Sequence, residues 1–238
     1  MKKLFPILFF FTCSSSCSKM SNNTMYILPV NTGSDKPYYY LALGDSYTIG
    51  EMVAPSDNFP GQVYSIMQND KVNLQASRII ARTGWTTDEL ETGIINANNA
   101  DPLRSSYDFV SLLIGVNNQY RGRSVENYKP EFEELLKKAI RYAGDRADRV
   151  VVLSIPDWGV TPFANGRDRA QIAREIDAYN RANKEITLRY NVHYIDITPW
   201  TREAATDNSL LASDGLHPSG KEYKRWAERI AVFFKSKI

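Results

Sequence analysis

The chain has 238 residues, of which 43% are hydrophobic and 24% charged, and its formal net charge at pH 7 is +2. This length and composition predict one sizeable domain with its own core, and the near-neutral charge argues against nucleic acid as the main partner. Two cysteines and two histidines are too few for a zinc site of the usual kind, and we predict neither a metal nor a cofactor.

Residues 1–17 have the pattern of an export signal. Two lysines precede a short apolar run, which is typical of a secretory signal peptide and too short for a membrane-spanning helix of about 20 residues. Ser14-Ser15-Ser16-Cys17 resembles the lipobox of bacterial lipoproteins, where the cysteine is lipidated after cleavage, although Ser14 stands where the motif usually has Leu. We therefore expect an exported protein. It would be a cell-envelope lipoprotein anchored through Cys17 or, after simple cleavage near residues 16–18, a periplasmic or secreted protein.

The sequence then changes from a polar tether, residues 18–37, to a regular alternation of apolar runs and helical patterns. Strands that alternate with helices predict a doubly wound parallel sheet of five strands in a single three-layer α/β/α domain, residues 38–238. The predicted strands cover residues 38–43, 72–81, 109–114, 149–155 and 192–197. The predicted helices cover residues 59–67, 87–95, 128–140, 168–189 and 220–234.

Two helix starts are predicted from capping residues. Thr87 is a candidate N-cap, because threonine side chains accept hydrogen bonds from the first free N–H groups of a helix. Ser219 and Glu222 match the S-x-x-E capping box, in which each side chain bonds the other residue's N–H.

Polar residues with catalytic chemistry follow the predicted strands. Gly44-Asp45-Ser46 ends the first strand, Gly84 follows the second, and Gly115-Val116-Asn117 ends the third. Asp214-Gly215-Leu216-His217 precedes the last helix and holds one of the two histidines, with a carboxylate close enough to orient its imidazole. Ligands bind outside the carboxyl ends of the strands in such sheets, so we expect these groups to meet there.

In this order the four motifs resemble those of the SGNH hydrolases, also called the GDSL esterase/lipase superfamily, over about residues 38–236. The resemblance implies a flavodoxin-like topology, a nucleophile at Ser46, a base at His217 and a carboxylate at Asp214 that orients the base. It also implies an oxyanion hole made by the backbone N–H groups of Ser46 and Gly84 and the side-chain amide of Asn117.

The sequence departs from the family pattern at two positions. Tyr47 replaces the Leu of the GDSL motif, and Asn118 stands where the family usually has Asp. Thr48 also excludes the G-x-S-x-G nucleophile elbow of α/β-hydrolases, which needs glycine at that place. Taken singly, Ser46 is more typical of a helix cap than of a nucleophile, and Asn117 is as typical of a turn as of an oxyanion donor.

The second histidine, His193, lies within a predicted strand and is interpreted as structural. Aromatic and acidic residues near the strand ends are candidates for the substrate pocket, with partly buried packing as the alternative. These candidates are Trp85, Tyr120, Asp157 and Trp158, with Phe163 close by. Arg121 and Arg123 are candidates for binding an acidic substrate, and a solvated loop is the alternative.

The function predicted is a serine esterase that removes small acyl groups such as acetyl from carbohydrate, with a small-molecule or carbohydrate ester as its partner. A lipase, lysophospholipase or thioesterase of the same superfamily is the alternative enzyme. A flavodoxin-like or glycan-binding module without turnover is the alternative from another class. Contact with a membrane is predicted only through the N-terminal lipid.

Overall fold

The computed structural model of the protein describes Met1 and residues 36–238. Apart from Met1, these residues belong to a unit that spans Gly33–Ile238. The predicted signal peptide after Met1, the candidate lipidation site Cys17 and the predicted tether up to residue 35 lie outside the described residues. Among the helices described, none is long and apolar enough to cross a membrane.

A five-stranded, entirely parallel sheet forms the middle layer of the domain, which confirms the predicted fold class. The strands lie in the order β2-β1-β3-β4-β5, which is the flavodoxin-like order. They are β1 (Tyr40–Asp45), β2 (Arg78–Arg82), β3 (Phe109–Leu113), β4 (Val150–Leu153) and β5 (His193–Ile195).

The three central strands are buried along their whole length, as continuous apolar runs predict for strands covered on both faces. The edge strands are shorter than predicted. The second, expected over residues 72–81, pairs only over Arg78–Arg82, and Leu74 makes an isolated bridge with Tyr38. The fifth has three residues where six were expected. An edge strand has a partner on one side only, so fewer backbone hydrogen bonds hold its ends.

Within residues 36–238, five long α-helices match the predicted ones, and three short α-helices were not predicted. The short ones directly follow strands or loops and are too brief for a helical apolar pattern to be read from the sequence. In chain order the helices are α1 (Ser46–Ile49), α2 (Phe59–Asn69), α3 (Thr87–Ala100), α4 (Val116–Tyr120), α5 (Val125–Tyr142), α6 (Arg169–Arg189), α7 (Thr198–Arg202) and α8 (Gly220–Lys235).

The long helices form the two outer layers. Helix α2 packs on α8, whereas α5 packs against both α3 and α6. The chain moves from β1 to β2 in one direction and from β3 to β5 in the other. Because crossovers between parallel strands are right-handed, this reversal puts the two helix groups on opposite faces. The reversal occurs between β1 and β3, so a crevice is expected at their carboxyl ends.

The predicted cap of α3 is wrong by one residue. Thr86, not Thr87, is the N-cap, and the Glu89 carboxylate accepts a hydrogen bond of 2.9 Å from the Thr86 N–H. The hydroxyl of Thr87 points elsewhere and donates to Glu131.

The predicted capping box of α8 is only half formed. Ser219 caps the helix by accepting from the Glu222 N–H, at 3.4 Å. The Glu222 carboxylate does not bond back, and it accepts instead from the Trp226 indole N–H, at 2.8 Å. The Ser219 N–H already donates to the Leu210 carbonyl, at 2.8 Å, so it is not available to the Glu222 carboxylate.

Candidate active site

Ser46 is the first residue of α1 and follows directly on the last residue of β1. Asp45 caps this short helix, since its carboxylate accepts from the Tyr47 N–H at 3.0 Å. The first N–H groups of a helix have no acceptor within it, so the Ser46 N–H is of the kind that binds an anionic group. A side chain at Gly44 would lie 2.5 Å from the Leu113 carbonyl oxygen, so the turn into α1 requires glycine.

His217 brings the two distant halves of the sequence motif together. Its Nε2 lies 2.9 Å from the Ser46 Oγ, and its Nδ1 lies 2.6 Å from the Asp214 Oδ2. The Ser46 and His217 side chains are both almost completely buried. An imidazole nitrogen at this distance can take up a serine proton, and a carboxylate on the opposite nitrogen holds the ring in the tautomer that does so.

Asp214 is held in place by its own loop. Its Oδ1 accepts from the backbone N–H groups of Leu216 and His217, each at 3.0 Å, which leaves Oδ2 for the imidazole. Partial burial raises the pKa of Asp214, but the hydrogen bonds from the His217 ring and from the two N–H groups outweigh it, and the net pKa lies below the ordinary value. The carboxyl group is therefore ionised when it faces the imidazole.

The three candidate oxyanion donors border the same space as Ser46. Gly84 has a φ of +84°, a conformation that favours glycine. The Asn117 amide donates one hydrogen bond of 2.9 Å to the Trp85 carbonyl. Since an amide carries two N–H bonds, the other remains for a ligand. Arg121, which follows α4, donates a hydrogen bond of 2.6 Å from its guanidinium to the Gly84 carbonyl. This bond holds the Gly84 backbone in place.

A cavity of about 160 Å³ opens at Ser46 and His217. Three aromatic rings make one of its walls. Tyr120 and Trp158 pack edge to face with their centroids 5.3 Å apart, and Phe163 lies 6.1 Å from Tyr120. The Tyr120 and Phe163 side chains are 43% and 44% exposed, so this wall reaches the mouth of the cavity.

Two residues expected in the pocket lie elsewhere. The Trp85 ring packs on α3, where a side chain at Gly93 would come 2.1 Å from it. Asp157 is buried and does not line the cavity. It accepts from the Gly159 N–H at 2.9 Å and pairs with Arg202 at 2.8 Å. For Trp85 and Asp157 the prediction of a pocket-lining side chain is therefore corrected, whereas Tyr120 and Trp158 do line the cavity.

Four further residues line the cavity and were not singled out in the sequence as pocket residues. Each of them is adjacent in sequence to a motif residue, which is the signal that could have found them. They are Tyr47, Thr83, Val116 and Leu216.

The second histidine lies on the edge strand β5 and takes no part in this arrangement. Its ring stacks on Phe233 with the centroids 4.4 Å apart. Burial lowers the pKa of His193, and the nearby Lys237 charge lowers it further. Within residues 36–238 no group of three or more His, Cys, Asp or Glu side chains is placed to hold a metal ion.

Asn118, the departure from the family pattern, ties α4 to the start of α3. Its Oδ1 accepts from the Thr87 N–H at 3.1 Å, and its Nδ2 donates to the Thr87 hydroxyl at 2.7 Å. That hydroxyl donates its own proton to Glu131. The hydrogen bonds therefore run from the Asn118 amide through the Thr87 hydroxyl to the Glu131 carboxylate. Asn118 is completely buried.

We expect Asn118→Asp to lower the free energy of unfolding by about 1–3 kcal/mol, because the single Thr87 hydroxyl proton cannot serve both the Glu131 carboxylate and a completely buried carboxylate at position 118. Adding Glu131→Gln should restore most of the loss, since the new amide can donate to Thr87 while Thr87 donates to the new Asp. Urea unfolding of the four proteins in this double-mutant cycle measures the coupling. Additive effects of the two substitutions would contradict the interpretation.

The buried Asp45 carboxyl makes stability depend on pH. Burial raises the pKa of Asp45 to about 7, and the hydrogen bond from the Tyr47 N–H lowers it only in part. In the unfolded chain an aspartate ionises near about pH 4. Between about pH 4 and 7 the folded state thus keeps a proton that the unfolded state has released, and the free energy of unfolding contributed by this group falls as the pH rises.

Asp45→Asn is expected to remove this pH dependence while its side-chain oxygen still accepts from Tyr47. Relative to wild type, the variant should gain stability as the pH rises from about 4 to 7, by at most about 1.4 kcal/mol per pH unit. Asp45→Ala should show the same pH trend from a baseline lowered by about 1 kcal/mol, because the cap is lost. Urea unfolding at several pH values tests this, and a difference that stays constant with pH would refute it.

The sequence profile of the GDSL-like lipase/acylhydrolase family matches residues 42–225. No curated protein matches the chain in sequence. Solved structures with the same fold include a lipase/acylhydrolase from Enterococcus faecalis, at 21% identity and a TM-score of 0.61, which covers 84% of this chain and 96% of its own. An acetylxylan esterase from Geobacillus stearothermophilus has 18% identity and a TM-score of 0.61, with coverages of 85% and 95%.

A third similar structure is a psychrotrophic esterase from Pseudoalteromonas sp., at 15% identity and a TM-score of 0.62, with coverages of 84% and 97%. The family profile spans most of the chain and includes the strands and loops that carry the four motifs. The chain therefore belongs to the GDSL-like lipase/acylhydrolase family, also known as the SGNH hydrolases, and is a carboxylic ester hydrolase.

Proposed function

We propose that the protein is a serine esterase in which Ser46 is the nucleophile, His217 the general base and Asp214 the carboxylate that orients the base. The observation that carries this proposal is the continuous chain of contacts from Ser46 Oγ through the imidazole to Asp214, at 2.9 and 2.6 Å. Ser46, where this chain of contacts begins, borders the cavity together with Gly84 and Asn117, the other candidate oxyanion donors.

In the acylation step, the Ser46 Oγ attacks the ester carbonyl carbon while its proton passes to His217 Nε2. The carbonyl oxygen gains the negative charge and is stabilised by the N–H groups of Ser46, Gly84 and Asn117, each of which contributes on the order of 3 kcal/mol. The tetrahedral intermediate then breaks its bond to the alcohol oxygen, which takes the proton from His217, and the acyl group stays on Ser46.

In the deacylation step, water attacks the acyl-enzyme carbonyl and gives a proton to His217. The bond to Ser46 Oγ breaks, the proton returns to Ser46, and the carboxylic acid leaves. Asp214 stays ionised throughout and stabilises the imidazolium that forms twice in the cycle.

For the substrate, we propose a short acyl group such as acetyl, carried by a carbohydrate. The small cavity supports a short acyl chain, and the exposed aromatic wall offers ring faces on which a sugar can stack. The acetylxylan esterase of the same fold acts on such an ester. No observation of comparable weight favours a long-chain lipase.

An ester panel tests both parts of the proposal. We expect the wild type to release acetate from acetylated xylooligosaccharides and to cleave p-nitrophenyl acetate faster than the octanoate. A fluorophosphonate should label Ser46, and Ser46→Ala should abolish labelling and turnover, whereas the exposed Ser65→Ala should leave both unchanged. Good turnover of long-chain esters without acetate release would favour the lipase alternative, and labelling at another serine would overturn the assignment of the nucleophile.

For the location, we propose export to the cell envelope, with Cys17 as the lipidated residue after cleavage of the signal peptide. The supporting observation is the basic and apolar start followed by Ser14-Ser15-Ser16-Cys17. Incorporation of labelled palmitate into the wild type, lost in Cys17→Ser, is the expected result. Label-free protein in the soluble fraction would favour simple cleavage.

A further inference from the structure

The arginines that follow the oxyanion loop do not offer a free charge to the pocket. Arg121 pairs with Glu89 at 3.0 Å and also bonds the Gly84 carbonyl. Arg123 pairs with Asp88 at 2.6 Å. Both guanidinium groups are thus used to hold the loop, and the expectation that they bind an acidic substrate has no support in these contacts.

A third arginine, Arg167, contacts two of the rings that line the cavity and is bound differently. Its guanidinium carbon lies 5.1 Å from the Tyr120 ring centroid and 5.4 Å from that of Trp158. One of its N–H groups donates to the Tyr120 hydroxyl at 3.2 Å. Among residues 36–238, no carboxylate forms an ion pair with Arg167.

The backbone around Arg167 is fixed by another arginine. Arg169 donates to the carbonyl oxygens of Val160 and Thr161, at 2.9 and 3.1 Å. Gly166, at a φ of +78°, makes the turn that brings Arg167 toward the aromatic wall. The guanidinium is therefore presented by an anchored loop and two rings, which reduces the conformational entropy that binding a ligand would cost.

The placement of Arg167 is suited to an anion on the substrate. Tyr120 and Trp158 line the cavity that holds Ser46 and His217, so Arg167, which contacts both rings, lies one side chain away from this cavity. A guanidinium has five N–H donors in a planar fork that matches a carboxylate. The contact with Tyr120 uses one of them, and the side chain is exposed.

We propose that Arg167 binds a carboxylate of the substrate, so that the protein prefers esters of acidic sugars, such as acetylated uronic acids, over neutral ones. This inference rests on the proposed function of Ser46 as the esterase nucleophile. The sugar packs against the exposed Tyr120 and Phe163 rings, and its carboxylate pairs with the Arg167 guanidinium.

The test compares two pairs of acetyl esters that differ in one charge. One pair is 4-acetoxybenzoate and its methyl ester, and the other is an O-acetylated methyl glucuronoside and its methyl ester. The partners of a pair differ in intrinsic reactivity, so the quantity that decides is the change in the ratio of their kcat/KM values on substitution. We expect Arg167→Ala to lower kcat/KM about tenfold more for the anionic ester than for the neutral one, mainly through KM.

Further readouts separate charge from packing. Arg167→Lys should keep part of the preference, and sodium chloride should lower kcat/KM of the wild type for the anionic ester only. Arg229→Ala is the matched control, because Arg229 also lies over a tryptophan, Trp200, but borders a different cavity. This control should leave the ratio unchanged.

An equal loss for both esters in Arg167→Ala, or no loss for either, would overturn the inference and leave the esterase proposal standing. Absence of turnover of every ester by the wild type would instead overturn the esterase proposal. In that case calorimetry with 4-hydroxybenzoate and its methyl ester still decides the inference. Binding of the anion that is weakened in Arg167→Ala supports it, and equal binding by both proteins refutes it.

Discussion

Asp214→Asn is expected to lower kcat by about 10⁴-fold and to leave KM near the wild-type value. The reason lies in the two backbone N–H groups that Oδ1 accepts, from Leu216 and His217. They fix the orientation of the new amide, with its oxygen toward the backbone and its NH₂ toward the imidazole. His217 Nδ1 must then accept a hydrogen bond from this NH₂, so the ring proton sits on Nε2, which can no longer take the proton of Ser46.

Steady-state kinetics with p-nitrophenyl acetate measure this effect, with thermal unfolding to verify that the fold persists. Asp207→Asn is the matched control, since Asp207 also accepts from a backbone N–H two residues on, that of Ser209, and lies outside the cavity. Asp207→Asn should change kcat by less than about twofold, because it is a surface substitution. A loss of less than about tenfold in Asp214→Asn would show that the imidazole does not depend on Asp214 for its tautomer.

Local sequence patterns predicted the parts of the fold that local physics controls. Strands β1, β3 and β4 are apolar throughout because they are covered on both faces, and this leaves an unbroken hydrophobic run in the sequence. The carboxyl ends of parallel strands lie on the same side of the sheet, so the motifs that follow the strands were expected to lie close together. The structure brings Ser46 within 2.9 Å of His217 across 171 residues of chain.

Side-chain directions that depend on distant partners could not be predicted. Trp85 follows the end of a strand, as Gly84 does, but its ring packs on α3 against Gly93. The ring fits there only because Gly93 has no side chain. Asp157 also follows a strand, but it pairs with Arg202, which lies 45 residues further along the chain. Nothing in either local sequence shows that the partner is there.

The charges near the cavity illustrate the same limit. Arg121, Arg123 and Arg167 are equally charged in the sequence, and the first two are closer to the Asn117 motif. The acidic first turn of α3 distinguishes them, because Asp88 pairs with Arg123 and Glu89 with Arg121. Arg167 has no such partner there and packs against the Tyr120 ring instead. That pairing is set by how α3 and α4 pack, which composition and spacing do not encode.

Asn117→Ala is expected to lower kcat by about 10²–10³-fold with little change in KM. Its amide would stabilise an oxygen that carries full negative charge only in the transition state, so its loss costs about 3–4 kcal/mol there and little in the ground state. The hydrogen bond from the amide to the Trp85 carbonyl is also lost, and this should cost about 1 kcal/mol of stability. Kinetics and urea unfolding measure the two effects separately.

Asn117→Asp separates the donor from the shape of the side chain, because aspartate has almost the same size but no N–H. A carboxylate at this position faces both the Trp85 carbonyl and the developing oxyanion, so kcat should fall below that of Asn117→Ala at neutral pH. On acidification the new carboxyl gains a proton that it can donate, so the deficit relative to Asn117→Ala should narrow. A higher KM with unchanged kcat in both variants would mean that Asn117 binds the substrate and does not stabilise the transition state.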